Sequence, residues 1–292
     1  MKILITNDDG INSPVLPLLA KWAMKLGEVT IAAPKFEQSG KSQAIQFIEP
    51  VEIKQIEIAP DIFGYAVDST PADCVRFGVL GLKQQYDLIL SGINRGYNLG
   101  DDIVYSGTCG AIFEGSRLGI KGLALSTDPD NLMNAPEFLD EVWKFIQEND
   151  LYSYNVLYNV NIPPAPTGIK ITKQGGMFFH DTFLHCEGHM YVQSGEILKD
   201  TGTDPTSDIN TMRRGEISVT PLIATRTEMS VFEKLKVEAV GKVGDTFDPN
   251  LHNAVLHDED ENLGEGEIVA VFEKGYKTKS KIIRFAMVKT VN

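Results

Sequence analysis

The chain has 292 residues, of which 42% are hydrophobic, so it can bury one large core or two small ones. Its net charge of −13 argues against binding nucleic acid through the phosphates, although a bound metal still allows a small phosphate ligand. The three cysteines, Cys74, Cys109 and Cys186, are widely spaced, which favours a reducing cytoplasm over a disulfide framework or a zinc cluster. No signal-peptide pattern or membrane-spanning run is present, so we expect no membrane association.

The first ten residues, MKILITNDDG, are an apolar run that ends in two adjacent carboxylates, Asp8 and Asp9. The short β-branched run at 3–5 predicts a buried strand, and ligands bind at the carboxyl ends of such strands in open α/β sheets. Neighbouring carboxylates repel each other, and a cation is the commonest means of keeping both ionised. The alternative for this stretch alone is a polar loop in which Asp9 caps the next helix.

A helix and a second buried strand follow this loop. Ser13 and Pro14 precede an apolar pattern that ends at Gly27, which predicts a helix capped by Ser13. Residues 29–34 then predict a strand, and a strand, a helix and a strand in so short a stretch indicate a parallel sheet. The polar loop at 37–42 is expected at the same edge as Asp8.

The alternation of strands and helices continues along the chain. Residues 43–68 alternate weakly, which suggests a hairpin. Further helices are predicted at 70–82, 109–118 and 135–148, and further strands at 86–90, 123–126, 156–162 and 217–222. Between them, about 165–215 is rich in glycine and aromatic residues and predicts a β-rich arm outside the main sheet. The stretch after about 232 is rich in strands and turns.

Four polar loops are therefore expected at one edge of one sheet. They carry Asp8 and Asp9; Ser39; Asn94 and Asn98; and Ser106, Gly107 and Thr108. All the side-chain ligands are oxygen donors, which suits a hard divalent cation, and the last loop begins a helix whose free N–H groups suit a phosphate. Taken singly, each loop is an ordinary turn or helix cap. None matches a dinucleotide or Walker fingerprint.

With these motifs in place, residues 1 to about 235 resemble the survival protein E (SurE) family of metal-dependent nucleotidases. The matching stretches are ILITNDDGI, APKFEQSGKS, DSTPADCV, SGINRGYNLGDDIVYSGT and ISVTPL. The resemblance implies an α/β, Rossmann-like fold with a mostly parallel sheet, helices on both faces, and a β-rich arm that is swapped between subunits. It also implies a homodimer or homotetramer that hydrolyses nucleoside 5′- and 3′-monophosphates, and short polyphosphate, with one Mg²⁺ or Mn²⁺ per subunit.

The resemblance also implies roles for individual residues. The metal ligands of the family fall on Asp8, Asp9, Ser39 and Asn94, and its phosphate pocket on Asn98, Ser106, Gly107 and Thr108. Asp8 and Asp9 are the catalytic candidates, with Asp8 activating the attacking water. A related alternative is a phosphatase of the haloacid-dehalogenase type. Its nucleophilic chemistry usually needs paired acids two residues apart, whereas Asp8 and Asp9 are adjacent.

The tail, residues 237–292, resembles the C-terminal β-domain of GrpE, the nucleotide-exchange factor of DnaK-type chaperones. The matching pieces are 247–252, 274–276 and 284–288, and Phe285 stands where that family usually has proline. Only a short stretch at 231–236 precedes it, in place of the long dimerising helix. The sequence thus predicts a nucleotidase domain at 1–235 and a small all-β unit at 237–292. The alternative function is a chaperone partner that acts through this tail.

Overall fold

A nine-stranded sheet forms the centre of the first of two units, Met1–Ala224, in a computed structural model that describes residues 1–199 and 201–292. The strands of this unit are β1 (Lys2–Thr6), β2 (Glu28–Pro34), β3 (Ile53–Ala59), β4 (Ile62–Val67), β5 (Leu88–Arg95), β6 (Lys121–Thr127), β7 (Leu157–Ile162), β8 (Ile169–Ile171), β9 (Phe179–His185), β10 (Tyr191–Ile197) and β11 (Ile217–Pro221). The sheet order is β3-β4-β2-β1-β5-β6-β7-β11-β8, with parallel pairing throughout except for β3–β4 and β7–β11.

Helices cover both faces of this sheet. They are α1 (Leu16–Met24), α2 (Pro71–Arg76), α3 (Gly107–Arg117), α4 (Leu139–Glu148), α5 (Leu151–Tyr154) and α6 (Asp208–Arg213). Successive side chains of β1 point to opposite faces: Ile3 and Ile5 join the core with α1 and α4, while Leu4 joins the core with α2 and α3. Burial on both faces explains why β1 is an uninterrupted apolar run. The predicted α/β class with a mostly parallel sheet is confirmed.

Several helix ends differ from those predicted. The first helix begins at Leu16, because residues 11–15 form turns in which the Ser13 carbonyl accepts from Leu16 N–H at 3.1 Å; Ser13 is therefore not its cap. Thr70 does cap α2, accepting from Asp73 N–H at 3.2 Å, but α2 gives way to a π-helix at Phe77–Gly81. The predicted helix at 135–148 starts as a 3₁₀ turn, Ala135–Phe138.

The region predicted as an arm has two parts. Strand β8 pairs with β11 at the edge of the main sheet, and α6 also belongs to the first unit. Within the described part of the chain, strands β9 and β10 pair with each other alone, as an antiparallel hairpin. Residue 200, which falls in the predicted arm, lies outside the described residues.

The second unit, Thr225–Asn292, begins with helix α7 (Met229–Leu235) and is otherwise built from strands. These are β12 (Glu238–Val240), β13 (His252–Asp258), β14 (Glu267–Glu273), β15 (Gly275–Lys277), β16 (Ile282–Arg284) and β17 (Ala286–Val291), in two three-stranded sheets. A small core of Val240, Ile268, Ala286 and Val288 holds them together. Across both described ranges, no helix is long and apolar enough to cross a bilayer.

Candidate active site

The carboxyl end of β1 is the meeting point of three other loops. The Asp8 carbonyl accepts from Gln38 N–H at 2.7 Å, which fixes the loop after β2. Asp9 Oδ2 accepts from Arg95 N–H at 3.0 Å, at the end of β5. Asp8 Oδ1 accepts from the Thr108 hydroxyl at 2.7 Å, in the first turn of α3. The structure thus brings together the four loops that were expected at one sheet edge.

The loop that presents the two carboxylates is shaped by Asn7 and Gly10. Asn7 Nδ2 donates to the Gly10 carbonyl at 2.9 Å, and Gly10 N–H donates back to Asn7 Oδ1 at 3.2 Å. Gly10 has φ +94°, and a Cβ there would lie 3.2 Å from the backbone of Phe36. This turn needs a residue without a side chain, so the chain can reverse directly after delivering Asp8 and Asp9.

Helix α3 points its N-terminus at Asp8. Ser106 caps the helix, its hydroxyl accepting from Cys109 N–H at 3.0 Å, and Thr108 is fully buried beside Asp8. A Cβ added to Gly107 would lie 3.0 Å from Asp8 Cβ, so the helix and the strand end are in close contact. The first N–H groups of a helix have no partner within it; that of Thr108 interacts with Asp8 and that of Cys109 with Ser106, so this end of the helix stabilises negative charge.

The other predicted metal ligands belong to neighbouring loops. Ser39 is exposed and its hydroxyl donates to Glu37 Oε1 at 2.8 Å, which leaves the lone pairs of Ser39 Oγ available. Asn94 Nδ2 donates to the Gly96 carbonyl at 2.8 Å, which fixes the amide so that Oδ1 is the atom able to ligate a cation.

Asn98, predicted to contact phosphate, is buried and held by strands β6 and β7. Its backbone carbonyl accepts from Asn159 and Asn161 at 2.8 and 3.0 Å, and its side-chain nitrogen donates to Ser126 Oγ at 2.8 Å. Sequence reasoning missed these two β7 asparagines. The sequence pattern that could have identified them is a pair of asparagines at alternate positions of an otherwise apolar strand. In the structure both are fully buried and hydrogen-bonded.

Asp8 is buried and Asp9 is half-buried, and this burial affects the acidity of both carboxyl groups. Burial raises the pKa of Asp8 to about 6, with the charge of Asp9 adding to the effect and the Thr108 hydroxyl opposing it. Burial also raises the pKa of Asp9, against the Arg95 N–H, which lowers it. Within residues 1–199 and 201–292, neither carboxylate forms an ion pair.

This donor set fits a hard divalent cation. The described residues contain no cluster of three or more His, Cys, Asp or Glu side chains that could hold a metal, so a complete ligand sphere here would need neutral oxygens such as those of Ser39 and Asn94. Two adjacent carboxylates with hydroxyl and amide oxygens suit Mg²⁺ or Mn²⁺ rather than zinc or copper.

A cavity of about 530 Å³ opens beside these loops. Its walls come from the loop after β2, the 3₁₀ turn Gly100–Tyr105 and the β9–β10 hairpin. The lining residues are Gly40, Asp102, Tyr105, Phe179, Asp181 and Gln193. We call this cavity the hairpin pocket. It combines two aromatic rings with two carboxylates, and sequence reasoning did not foresee it because its walls are far apart along the chain.

Comparison with known proteins agrees with this architecture. The family model "Survival protein SurE" matches residues 3–181, and the GrpE model matches residues 223–292, which confirms the resemblance of the tail. A protein of Thermosipho melanesiensis named 5′-nucleotidase SurE is 35% identical over 250 residues, covering 81% of this chain and 96% of the relative. One of the same name from Legionella pneumophila is 34% identical over 247 residues, covering 80% and 96%.

Among solved structures, the SurE protein from Aquifex aeolicus aligns with a TM-score of 0.67 and 30% identity, covering 80% of this chain and 98% of that chain. The family match includes all four loops that converge on Asp8 and Asp9, and the structural match spans nearly the whole of the relative. This chain therefore belongs to the survival protein SurE family and carries, in addition, a GrpE-like C-terminal region.

Proposed function

We propose that this protein is a metal-dependent phosphomonoesterase that hydrolyses nucleoside 5′-monophosphates to nucleoside and phosphate. The observation that carries the proposal is the adjacent Asp8–Asp9 carboxylate pair beside the N-terminus of α3, in a chain whose relatives are named 5′-nucleotidases; within the described residues this pair forms no ion pair. Nucleoside 3′-monophosphates and short polyphosphate are proposed as further substrates on the strength of the family resemblance alone.

The proposed cofactor is one Mg²⁺ or Mn²⁺ per subunit, held by Asp8, Asp9, Ser39 and Asn94. When bound, such a cation neutralises charge on the phosphate oxygens and lowers the pKa of water. The helix N–H groups of 107–108 and the Asn98 side chain are proposed to hold the phosphate, since the Asn98 backbone is fixed by Asn159 and Asn161.

Asp8 is the proposed general base, and Thr108 orients it. With Oδ1 held by the Thr108 hydroxyl, the carboxylate keeps one orientation and Oδ2 lies on the side of Gly107. In this orientation Oδ2, the oxygen that Thr108 does not hold, is the proposed proton acceptor. A nucleophilic aspartate is the competing mechanism, and a trapped phosphoenzyme would favour it.

The nucleoside is proposed to enter the hairpin pocket. Tyr105 and Phe179 offer ring faces to a base, and the carboxylates of Asp102 and Asp181 accept hydrogen bonds from sugar hydroxyls or an exocyclic amine. Two lining residues of the pocket, Gly40 and Tyr105, are the sequence neighbours of Ser39 and Ser106. A nucleotide with its phosphate near Asp8 is thus proposed to place its nucleoside between loop and hairpin.

The activity is tested by incubating purified protein with AMP or GMP and Mg²⁺ or Mn²⁺, and measuring released phosphate. We expect Asp8→Asn and Asp9→Asn each to abolish release, because each removes a carboxylate from the metal site. Asp61→Asn, at an exposed turn position with φ +61° that asparagine tolerates, is the matched control. Full activity in both site variants would contradict the assignment of the metal site.

A homodimer or homotetramer is proposed, with the hairpin exchanged between subunits. The hairpin exposes large apolar side chains that a second subunit would cover: Phe183, Leu184, Met190, Tyr191 and Val192. Light scattering gives the mass in solution, and a monomer at micromolar concentration would contradict the proposal. A cytoplasmic location is also proposed, since all three cysteines are free and two are buried.

A second candidate function rests on the GrpE match at 223–292. In this view the tail docks on a DnaK-type chaperone and the first unit serves as an oligomeric platform. Capture of such a chaperone by the full chain, and its loss on deleting residues 237–292, would support this function. Phosphate release by the truncated chain checks that the first unit remains folded. Capture by neither chain would make the tail irrelevant to chaperones.

A further inference from the structure

Asp208, the first residue of α6, is a fully buried carboxylate whose partners are backbone N–H groups. Its Oδ2 accepts from Gly100 N–H at 2.9 Å, and its Oδ1 accepts from Gly175 N–H and Ile209 N–H, both at 2.8 Å. Burial raises the pKa of this carboxyl, although all its hydrogen bonds lower it. Burying the charge of Asp208 costs free energy, so the role of its hydrogen bonds needs an explanation.

The two glycines that Asp208 joins belong to two different segments that line the hairpin pocket farther along the chain. Gly100 begins the 3₁₀ turn that carries Asp102 and Tyr105. Gly175 lies just before β9, which carries Phe179 and Asp181. One carboxylate therefore ties together two segments that are far apart in the chain and that each supply residues to the lining of the pocket.

The two segments also contact each other directly at this point. Asp101 N–H donates to the Gly176 carbonyl at 3.0 Å. A Cβ on Gly100, whose φ is +53°, would lie only 2.0 Å from that same carbonyl oxygen. The loop and the base of the hairpin are thus in backbone contact, with no room for a side chain between them.

Helix α6 holds the second strand of the hairpin as well. Arg213 Nη1 donates to the Lys199 carbonyl at 2.8 Å, just after β10. The base of the hairpin is closed by Leu198 N–H, which donates to the Phe178 carbonyl at 2.9 Å. The helix therefore holds both sides of the base of the hairpin. Asp208 extends this contact to residues 97–105, which lie between β5 and α3 and which we call the 97–105 loop.

We propose that Asp208 is a positioning residue, whose carboxylate holds the 97–105 loop against the base of the β9–β10 hairpin and so maintains the pocket that reads the nucleoside. This proposal rests on the proposed nucleotidase function. The chemistry demands a carboxylate, because three N–H donors converge on two oxygens. An asparagine offers one oxygen, and its Nδ2 would then face an N–H of Gly100 or of Gly175.

The test compares AMP with ribose 5-phosphate, which has the same phosphate ester on the sugar but no base. The kcat/KM for AMP divided by that for ribose 5-phosphate measures how much recognition of the base contributes. We expect Asp208→Asn to lower this ratio about tenfold, mainly through the KM for AMP, since one charged hydrogen bond is lost. Ribose 5-phosphate should lose much less, because Asn98, at the start of this loop, is still held by Ser126, Asn159 and Asn161.

Asp204→Asn is the matched control. Asp204 lies in the segment just before α6 and pairs with Lys173, but its side chain contacts neither glycine. We expect its ratio to equal that of the unaltered protein. Gly100→Ala is the second variant, useful if Asp208→Asn folds poorly: its methyl group pushes the loop from Gly176, and the ratio should fall in the same way.

The outcomes separate this proposal from the proposed function. Hydrolysis of neither substrate by the unaltered protein, with either metal, would refute the nucleotidase function. Hydrolysis of both with equal kcat/KM would leave that function standing and overturn the reading of the base. Equal losses on both substrates in Asp208→Asn and Gly100→Ala would show a general structural role and overturn the positioning role.

Discussion

Replacing Asp8 by asparagine is expected to stabilise the metal-free protein while abolishing its activity. Burial raises the pKa of Asp8 from 3.8 to about 6, so the folded state binds this proton more tightly than the unfolded state does. At a pH above both values, the ionised carboxylate destabilises the fold by about 3 kcal/mol, at about 1.4 kcal/mol for each pH unit of the difference. Asparagine has the same shape and no charge.

Not all of this free energy is recovered by the substitution. The Thr108 hydroxyl loses a charged acceptor, at a cost of about 1 kcal/mol. The net stabilisation of Asp8→Asn is therefore about 2 kcal/mol near pH 7.5. The destabilisation by Asp8 sets in as the pH rises from 3.8 to about 6, so the advantage of the variant should vanish below that window.

The assay is urea unfolding in the presence of a chelator, followed by tryptophan fluorescence at a series of pH values. Both tryptophans of the chain, Trp22 and Trp143, lie in the first unit, so the signal reports the unit that holds Asp8. Asp61→Asn, at an exposed site, should not change the unfolding midpoint. With Mn²⁺ at about 100 times its Kd, the unaltered protein should gain about 2.7 kcal/mol and the variant nothing. A variant that is less stable than the unaltered protein near neutral pH without metal would refute the reasoning.

Two further substitutions test contacts around the site. In Gly110→Ala, the new methyl group would lie 2.1 Å from the Ser42 carbonyl oxygen, so the loop that carries Ser39 must shift, and phosphate release from AMP should fall about a hundredfold. In Glu114→Ala, the buried carboxylate that pairs with Arg76 at 3.0 Å is lost, and urea unfolding should show a destabilisation of about 2 kcal/mol.

Each of these substitutions has a control at an exposed or open position. A Cβ on Gly168 meets no atom within 4 Å, so Gly168→Ala should keep full activity. Glu148 forms an exposed ion pair with Lys144 at 3.7 Å, and Glu148→Ala should change stability by less than about 0.5 kcal/mol. Equal losses of activity in Gly110→Ala and Gly168→Ala would contradict the packing argument. Equal losses of stability in Glu114→Ala and Glu148→Ala would contradict the burial argument.

The parts of the fold that local patterns determine were predictable from sequence. The apolar run of β1 is buried on both faces, and such a run reads as a parallel strand without any knowledge of its neighbours. Thr70 capped its helix as predicted, because a cap depends on residues only three positions away. The predicted start of α1 was wrong, because two prolines, Pro14 and Pro17, both suit the first turn of a helix. Residues 11–15 form turns, so the helix begins at Leu16 and Pro17 is the proline in its first turn.

The parts that depend on long-range packing were not predictable. The bond from Thr108 to Asp8 spans 100 residues, and the bond from Gly100 to Asp208 spans 108. The expectation that strand ends share one edge placed Thr108 near Asp8, since the rule needs only the topology. No such rule places Asp208, whose role arises from the way α6 packs under a hairpin, and its sequence signal was no more than an acid in a first helical turn.

The buried carboxylates of the described residues differ in the partners that offset their charge. Four are buried: Asp8, Asp73, Glu114 and Asp208. Glu114 pairs with two arginines, Asp73 accepts from one backbone N–H and two hydroxyls, and Asp208 accepts from three N–H groups. Asp8 has only Thr108 and its own backbone as partners, and a second carboxylate lies beside it. The other buried acids have ion pairs or several hydrogen-bond donors, so the Asp8–Asp9 pair is the one whose charge the proposed cation would offset. The stability of the site would then depend on the ligand that is proposed to give it activity.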